Sequence, residues 1–308
     1  MVRYIAARTA GAAIVLAAIT LFVAFAIRLT GDPAVALFEG AGAPSRQDIE
    51  RIQHAFGTDR PFVVQYAAFL AHGVRGDLGT SFRSGQPVTA MIADRAGATL
   101  LLAVGGMAVA LAIAFPLGVY AATHRDALTD FLIRVASLLG LSFPNFWLGI
   151  MLILALAVRL RWLPPSGDAG PASLVLPSTT LGIILASTLV RLVRATLLDT
   201  LGQPYVRTAR AKGLRELRVV VRHGLRNALL PVVTFIGLQF GGLLGGVVVL
   251  ENVFAWPGLG QLALQAVSYR DYPVVQGVVV VLAVGVVLVN LLVDLSYGLL
   301  NPRVRVGP

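Results

Sequence analysis

The sequence predicts an all-α integral membrane protein with about six transmembrane helices, and three observations support this fold class. Of the 308 residues, 57% are hydrophobic and only 13% are charged, whereas soluble domains average about 25% charged residues. The mean hydropathy is +0.81. The apolar residues also occur in blocks of about twenty, which is the helix length needed to cross a hydrocarbon core about 30 Å thick. A soluble fold could not cover its surface with so few charges.

Six apolar segments are long enough to be transmembrane spans. They are residues 9–29, 97–122, 131–158, 173–198, 228–254 and 273–299. Prolines interrupt several of them, and neighbouring helices in a membrane bundle can satisfy the carbonyl groups that a proline leaves free. The first segment follows Arg3 and Arg8 as a signal peptide would. Its apolar run is longer than the roughly 7–15 residues of a signal sequence, so we expect an uncleaved helix.

The distribution of basic residues predicts the orientation in the membrane. Residues 191–227 contain nine basic and two acidic residues, whereas residues 31–96 contain six basic and seven acidic residues. Cytoplasmic loops carry the excess of lysine and arginine in membrane proteins. We therefore expect the loop 199–227 to be cytoplasmic, the segment 31–96 to be external, and both termini to be cytoplasmic.

The external segment 31–96 is too polar to span a membrane but is patterned like a folded subdomain. Ser45 and Asp48 have the spacing of a helix capping box, and Gly57 follows the expected end of that helix. Aromatic and apolar residues at helical spacing predict a second helix over 62–74. We expect two short helices that lie against the membrane or against the first two spans.

The cytoplasmic loop 199–227 predicts a compact helix–turn–helix between two spans. Pro204 suits the first position of a short helix and Gly213 suits its end. A second short helix is expected over 217–225. Small residues on the first helix predict a face that a partner protein can approach closely; they are Thr208, Ala209 and Ala211.

Several motifs carry a resemblance to a known family. Residues 205–214 read YVRTARAKGL and residues 222–231 read RHGLRNALLP. This pair resembles the EAA loop of bacterial ABC importer permeases, and more narrowly the DppB/OppB-like branch of the dipeptide/oligopeptide/nickel importers. The resemblance covers nearly the whole chain, through GDLGTS, SFPNFWLG, ENVFAWPGLG and RDYP, which start at residues 76, 142, 251 and 270. Arg207 replaces the acidic residue of the general pattern, as it does in other peptide-type permeases.

The resemblance implies a function and a set of partners. The chain would be a single permease domain over 1–308 in the cell membrane of a bacterium. With a second homologous, DppC-like permease it would form the path for di- or oligopeptides, by alternating access. Two cytoplasmic ABC ATPase subunits would bind ATP and Mg, so that this chain needs no cofactor, and an extracytoplasmic binding protein would deliver the cargo. The expected ATPase-coupling residues are Tyr205, Arg207, Thr208, Ala209, Arg210, Ala211, Lys212, Gly213 and Leu214.

The sequence also disfavours other classes of function. It contains no P-loop motif, no HExxH and no GxSxG, its four histidines lie far apart, and it has no cysteine. We therefore expect no catalytic residue and no metal site. A loop tethered to the bilayer at both ends has little freedom to enter a DNA groove, so we expect membrane lipids and no nucleic acid around the chain. A permease for nickel or another small solute remains an alternative, and an ion-coupled carrier is a weaker one.

Two further groups of residues are candidates for the translocation path. Glycines recur at intervals of four in the fifth span, and this spacing allows helix backbones to approach closely. The packing or pathway candidates are Gly237, Gly241, Gly245, Asn145 and Gln239. Ionisable residues near membrane spans are functional candidates by default, which adds Glu251 and Asp294 as possible contacts for the cargo.

Overall fold

The computed structural model describes residues 2–29, 31–37 and 45–300, and these residues are helical with no β-strand. The α-helices are α1 (Val2–Arg28), α2 (Pro33–Ala36), α3 (Arg46–Phe56), α4 (Phe62–Gly73), α5 (Val88–Thr123), α6 (Leu128–Ser142), α7 (Asn145–Leu152), α8 (Pro171–Leu201), α9 (Pro204–Ala211), α10 (Glu216–Arg218), α11 (Arg226–Gly246), α12 (Val248–Val253), α13 (Leu259–Ser268) and α14 (Tyr272–Leu300). Two segments are π-helical, Ile153–Arg159 and Val219–Leu225.

The membrane-spanning helices account for much of the predicted pattern. Three unbroken helices are long and apolar enough to cross a bilayer: Val88–Thr123, Pro171–Leu201 and Tyr272–Val293. Two bent helix pairs also qualify if each pair counts as one span, so the described residues provide three to five spans. The apolar part of α1, Ala13–Arg28, is shorter than each of these three helices and is not counted among the spans. The all-helical membrane fold is confirmed, and the number six stays a prediction.

The third predicted span, 131–158, is not one straight helix. The chain bends by 103° between Leu128–Ser142 and Asn145–Arg159. Pro144 has no backbone N–H for the preceding helix, and it forces Phe143 into an extended conformation with φ −90° and ψ 136°. This segment is therefore a broken span or a re-entrant loop.

The fifth predicted span, 228–254, belongs to a helical element that begins earlier than predicted and is bent. Helix α10 leads without interruption through the π-helical segment Val219–Leu225 into α11, so the expected separate helix over 217–225 belongs to this longer element. The element bends by 47° between Glu216–Leu229 and Pro231–Leu243. Pro231 lies inside α11 and accounts for the bend, because it removes one helical hydrogen bond.

The helices divide into two compact units. The first falls within Met1–Thr99 and Pro257–Leu288, and the second within Leu100–Trp256 and Val289–Pro308. The first unit contains the segment 31–96 that the sequence predicts to be external. In it Ser45 caps α3 by accepting a hydrogen bond from the amide of Asp48, and Gly57 ends that helix with φ +66°, as the capping pattern predicts.

A buried carboxylate ties the first unit together over a long sequence distance. Asp271 is only 5% exposed. It accepts hydrogen bonds from the hydroxyl of Ser81 at 2.5 Å and from the amide of Phe82 at 3.0 Å. The neighbouring Tyr272 donates to the carbonyl of Gly31. Two motifs that lie 190 residues apart in sequence therefore meet at one buried contact.

The second unit packs around α8. Glycines on α5 and α8 allow the two helices to approach closely: a Cβ atom on Gly118 would lie 2.8 Å from Val193, and one on Gly106 would lie 2.5 Å from Leu181. A Cβ atom on Gly182 would likewise lie 2.5 Å from Val109. The tight helix contact that small residues permit is thus found between the second and fourth predicted spans.

Candidate coupling site on the basic segment

The basic segment after α8 folds into a short helix with the predicted ends. Helix α9 begins at Pro204 and runs to Ala211. Proline suits this first position because the first N–H groups of a helix have no partner within it, so the missing N–H costs no hydrogen bond. Gly213 has φ +74°, a left-handed conformation that glycine adopts without a steric penalty. The chain then turns sharply into α10 at Glu216.

The segment has a small apolar core of its own. Val206 and Val219 are completely buried, and Ala209 is 7% exposed against them. Leu201 and Leu214 pack around this cluster. Ala209 therefore does not share an open face with Thr208 and Ala211, as the sequence suggested, because its spacing of three from Val206 puts it on the inner side of α9.

The opposite side of α9 is open. Tyr205, Arg207, Thr208, Ala211 and Lys212 are all exposed. The Tyr205 hydroxyl accepts a hydrogen bond of 2.9 Å from the side-chain amide of Asn227, which ties α9 to the start of α11. We call these five residues the open face of α9.

An ion pair closes the turn that follows α9. Arg210 donates to both carboxylate oxygens of Glu216, at 2.6 and 3.1 Å. This guanidinium lowers the pKa of Glu216 below its usual value. Both side chains are substantially exposed, at 42% and 59%, so the pair stabilises the turn only modestly.

The segment is joined tightly to α8. Gly224 lies so close to Leu197 and Leu201 that a Cβ on it would be 3.0 Å from each side chain. Below this contact Leu197 and Val220 form a buried cluster with Ala122 and Ala228. The π-helical segment Val219–Leu225 is therefore packed closely against the end of α8.

Comparisons with known proteins identify the family. Residues 1–103 match the family described as the N-terminal part of the binding-protein-dependent transport system membrane component. Residues 114–306 match the binding-protein-dependent transport system inner membrane component. The chain belongs to this family. It is a peptide-type permease subunit of an ABC importer and a multi-pass membrane protein.

Individual relatives cover nearly the whole permease. A Brucella ovis protein with a provisional peptide-permease name is 41% identical over 303 residues, 94% of this chain and 95% of the relative. The glutathione transport system permease GsiC of Pectobacterium atrosepticum is 46% identical, with 90% of each chain covered. The Salmonella typhimurium protein of the same name is 42% identical, with 99% of each covered.

A solved structure shares the fold of the permease. It is a chain from the MetNI methionine ABC transporter in inward-facing conformations, with a TM-score of 0.57 and 19% sequence identity. The match covers 68% of this permease and 96% of that chain. At this identity the likeness shows the fold alone.

The packing and pathway candidates of the permease are found in different surroundings. Gly237 on α11 meets Val293 on α14 in direct contact, and Gly241 is buried. Gln239 is half-buried and Asn145 is exposed at the 103° bend. The environment of Gly245 lies outside the described residues. A role in the path stays a prediction for all five.

The two ionisable candidates of the permease also remain predictions. Glu251 on α12 is completely buried, next to the buried Phe254. A Cβ on Gly149 of α7 would lie 3.1 Å from the Phe254 ring, so the α12 corner packs against the bent third segment. Asp294 lies on α14, and its side chain is outside the described residues.

Sequence reasoning missed one ionic cluster in the permease. Asp130 is completely buried at the start of α6 and accepts two hydrogen bonds from Arg194 on α8, at 2.6 and 2.7 Å. Arg134 approaches the same carboxylate at 3.6 Å. The spacing of four between Asp130 and Arg134 was a weak local signal. The pairing of Asp130 with Arg194, 64 residues away, leaves no signal in the sequence.

Proposed function

We propose that this permease imports peptides by alternating access, in the cell membrane of a bacterium. It pairs with a second homologous permease, and two cytoplasmic ATPases supply the driving force. An extracytoplasmic binding protein presents the cargo to the external side, which includes 31–96. Both termini and the loop 199–227 face the cytoplasm.

The observation that carries the coupling role is the division of α9 into two sides. Its inner side is filled by the segment's own core of Val206, Ala209 and Val219. Its open face has small side chains at Thr208 and Ala211 between the cations Arg207 and Lys212. A helix that is held firmly on one side and bare on the other suits docking into a cleft of the ATPase.

The remaining coupling residues shape this helix. Gly213 ends it in a left-handed conformation, and Leu214 packs against the buried cluster. Arg210 holds the following turn through Glu216. In this proposal ATP-driven closure of the ATPase pair moves α9, and the close contact at Gly224 passes that movement to α8.

The cargo is proposed from the relatives. The names of the Brucella ovis and Pectobacterium atrosepticum relatives concern peptide and glutathione transport, and glutathione is itself a small peptide. We therefore propose small peptides as the cargo class of this permease. The identity of the cargo is tested by binding of candidate peptides to the binding protein of the same importer.

The experiment that tests the coupling role uses a substitution that leaves the inner core intact. Ala211→Glu places a carboxylate on the open face, and we expect the ATPase subunits to dissociate and peptide uptake to fail. The control is Arg218→Ala, which changes an exposed residue on α10 and should leave ATPase binding and peptide uptake unchanged. Co-purification of the ATPase and uptake are measured for both variants; normal values for Ala211→Glu would contradict the proposal.

The topology is tested by thiol labelling, because the chain contains no cysteine. Ser45→Cys should react with a membrane-impermeant thiol reagent in intact cells, and Glu216→Cys should not. Both positions are exposed in the structure, so access depends on the side of the membrane. Labelling of Glu216→Cys from outside would contradict the proposed orientation.

A further inference from the structure

A cleft lies between α6 and α8 that the coupling role does not use. Four residues of α6 line it, Phe131, Arg134, Val135 and Leu138, at the spacing of a single helix face. Arg191 and Arg194 line it from α8. Its volume is about 290 Å³. The α6 wall is therefore apolar except for Arg134, and the α8 wall carries two guanidinium groups.

The charges in this cleft are not balanced by the protein. The single buried carboxylate of Asp130 is shared by Arg194 and, more weakly, by Arg134. Arg191 is exposed and makes no hydrogen bond or ion pair within the part of the chain that the structure describes. The cleft thus contains three guanidinium groups, and only two of them share the one carboxylate.

Other acidic side chains nearby do not supply the missing charge. Asp126, in the turn before α6, adds a negative charge near Arg194, but it pairs with Arg125 at 3.2 Å and therefore leaves the excess of positive charge unchanged. Asp199 is on the same helix as Arg191 but eight residues further on, which is about 12 Å along the helix axis. The excess positive charge in the cleft is therefore left for a ligand.

The position of the cleft restricts the kind of ligand. Arg134 is at the middle of α6, and Arg191 is ten residues before the end of α8, so both lie within apolar helices. An unbalanced charge there is costly next to hydrocarbon. A guanidinium group matches the geometry of a phosphate and binds it with two parallel hydrogen bonds. The exposed Phe131 and Leu138 offer an apolar surface beside it.

We propose that this cleft binds an anionic phospholipid, with the phosphate at Arg134 and Arg191 and an acyl chain along Phe131, Val135 and Leu138. Asp130 holds Arg194 closely and Arg134 only weakly, so Arg134 and Arg191 provide the positive charge for the lipid. That the site belongs to the cytoplasmic leaflet rests on the orientation proposed above. The existence of the site does not depend on it.

The test uses the complete importer in phosphatidylcholine vesicles that contain a trace of photoactivatable lipid. The probe is phosphatidylglycerol or phosphatidylcholine with the same photoreactive acyl chain, and labelled peptides are mapped by mass spectrometry. We expect the phosphatidylglycerol probe to label residues 131–138 and the phosphatidylcholine probe to label them weakly. Arg191→Gln and Arg134→Gln should each lower this labelling about fivefold, the effect of losing one cation near an anionic lipid.

Three controls keep the result specific. Arg222→Gln removes an exposed arginine outside the cleft and should leave the labelling unchanged. Arg191→Lys keeps the charge but loses the two parallel hydrogen bonds, so it should retain more of the labelling than Arg191→Gln does. Since Arg191 is exposed and has no partner among the described residues, its substitution should not impair assembly, and ATPase co-purification verifies this. Millimolar inorganic phosphate should not displace the lipid probe.

Four results would overturn the proposal. They are equal labelling by both lipids, labelling that survives in Arg191→Gln and Arg134→Gln, displacement by inorganic phosphate, and no labelling of 131–138 in the complete importer. The third would assign the cleft to a free anion, and the last would show that another subunit covers it. If labelling fails while the ATPase still docks through α9, only the lipid site is wrong and the proposed transport function stands.

Discussion

The segment predicted to be external, 31–96, and the proposed coupling segment, 199–227, are held in place by opposite means. The external segment is fixed by contacts between residues far apart in sequence, above all the buried Asp271 that accepts hydrogen bonds from Ser81 and Phe82. The coupling segment is held by a small local core around Val206 and by an exposed ion pair.

This difference indicates different tasks. Buried polar contacts over long sequence distances are costly to break, and they fix residues 81 and 82 to the start of the last helix. The proposed coupling segment has a local core of its own and is joined to α8 through Leu197, Leu201 and Gly224. Such a unit keeps its outer side free for a partner and can still move as one piece.

The largest effect is expected from breaking the external contact. Asp271→Ala leaves the Ser81 hydroxyl and the Phe82 amide without their acceptor in a buried place, which should cost about 3 kcal/mol. We expect a lower melting temperature of the detergent-solubilised permease and weaker expression. The control is Asp59→Ala, since Asp59 is exposed and its one ion pair among the described residues is with the exposed His54. Equal stability of the two variants would show that the external region is not held by this contact.

A smaller effect is expected inside the coupling segment. Ala209→Glu forces a charged side chain between Val206 and Val219, and overpacking of this kind costs about 1–3 kcal/mol. Because the core is local, α9 should detach while the rest of the permease stays folded. Limited proteolysis should then cut near residues 202–215 in the variant and not in the wild type. The matched control is Ala211→Ser on the open face. Resistance of Ala209→Glu to the protease would argue against a local core.

The smallest effect concerns the exposed ion pair. The Arg210 guanidinium lowers the pKa of Glu216, so the pair stabilises the turn above the ordinary pKa of a glutamate. That contribution is lost only as the pH falls through the lowered value. We expect ATPase docking to be unchanged from neutral pH to mildly acidic pH, and Glu216→Gln to weaken it by less than about tenfold, as an exposed pair implies. A loss of docking near pH 6 would show that another group controls the turn.

The features predicted correctly from the sequence all have local causes. The ends of α3 and α9 follow from Ser45, Gly57, Pro204 and Gly213, each of which acts on its own turn of the backbone. The apolar blocks identified the membrane helices because their length is set by the bilayer.

The features that sequence reasoning missed depend on tertiary contacts. Asp271 meets Ser81 across 190 residues and Asp130 meets Arg194 across 64, and no local pattern marks such pairs. The helix α13 was not anticipated because it is short and lies next to the last span. The prolines within the apolar segments indicate interruptions, but the 103° bend at Pro144 also depends on how α7 packs against α8 and α12.

The most direct test of the account compares two neighbouring alanines on opposite sides of α9. In this cysteine-free chain, Ala211→Cys and Ala209→Cys are each treated with a thiol reagent that reaches the cytoplasmic side, with and without the ATPase subunits bound. We expect Ala211→Cys to react quickly in the permease without ATPase and to be protected in the complete importer. Ala209→Cys should react slowly in both, since its side chain is buried by the segment's own core. Equal reactivity of Ala211→Cys with and without bound ATPase, in an importer that still transports, would contradict the claim that the open face of α9 is the docking surface.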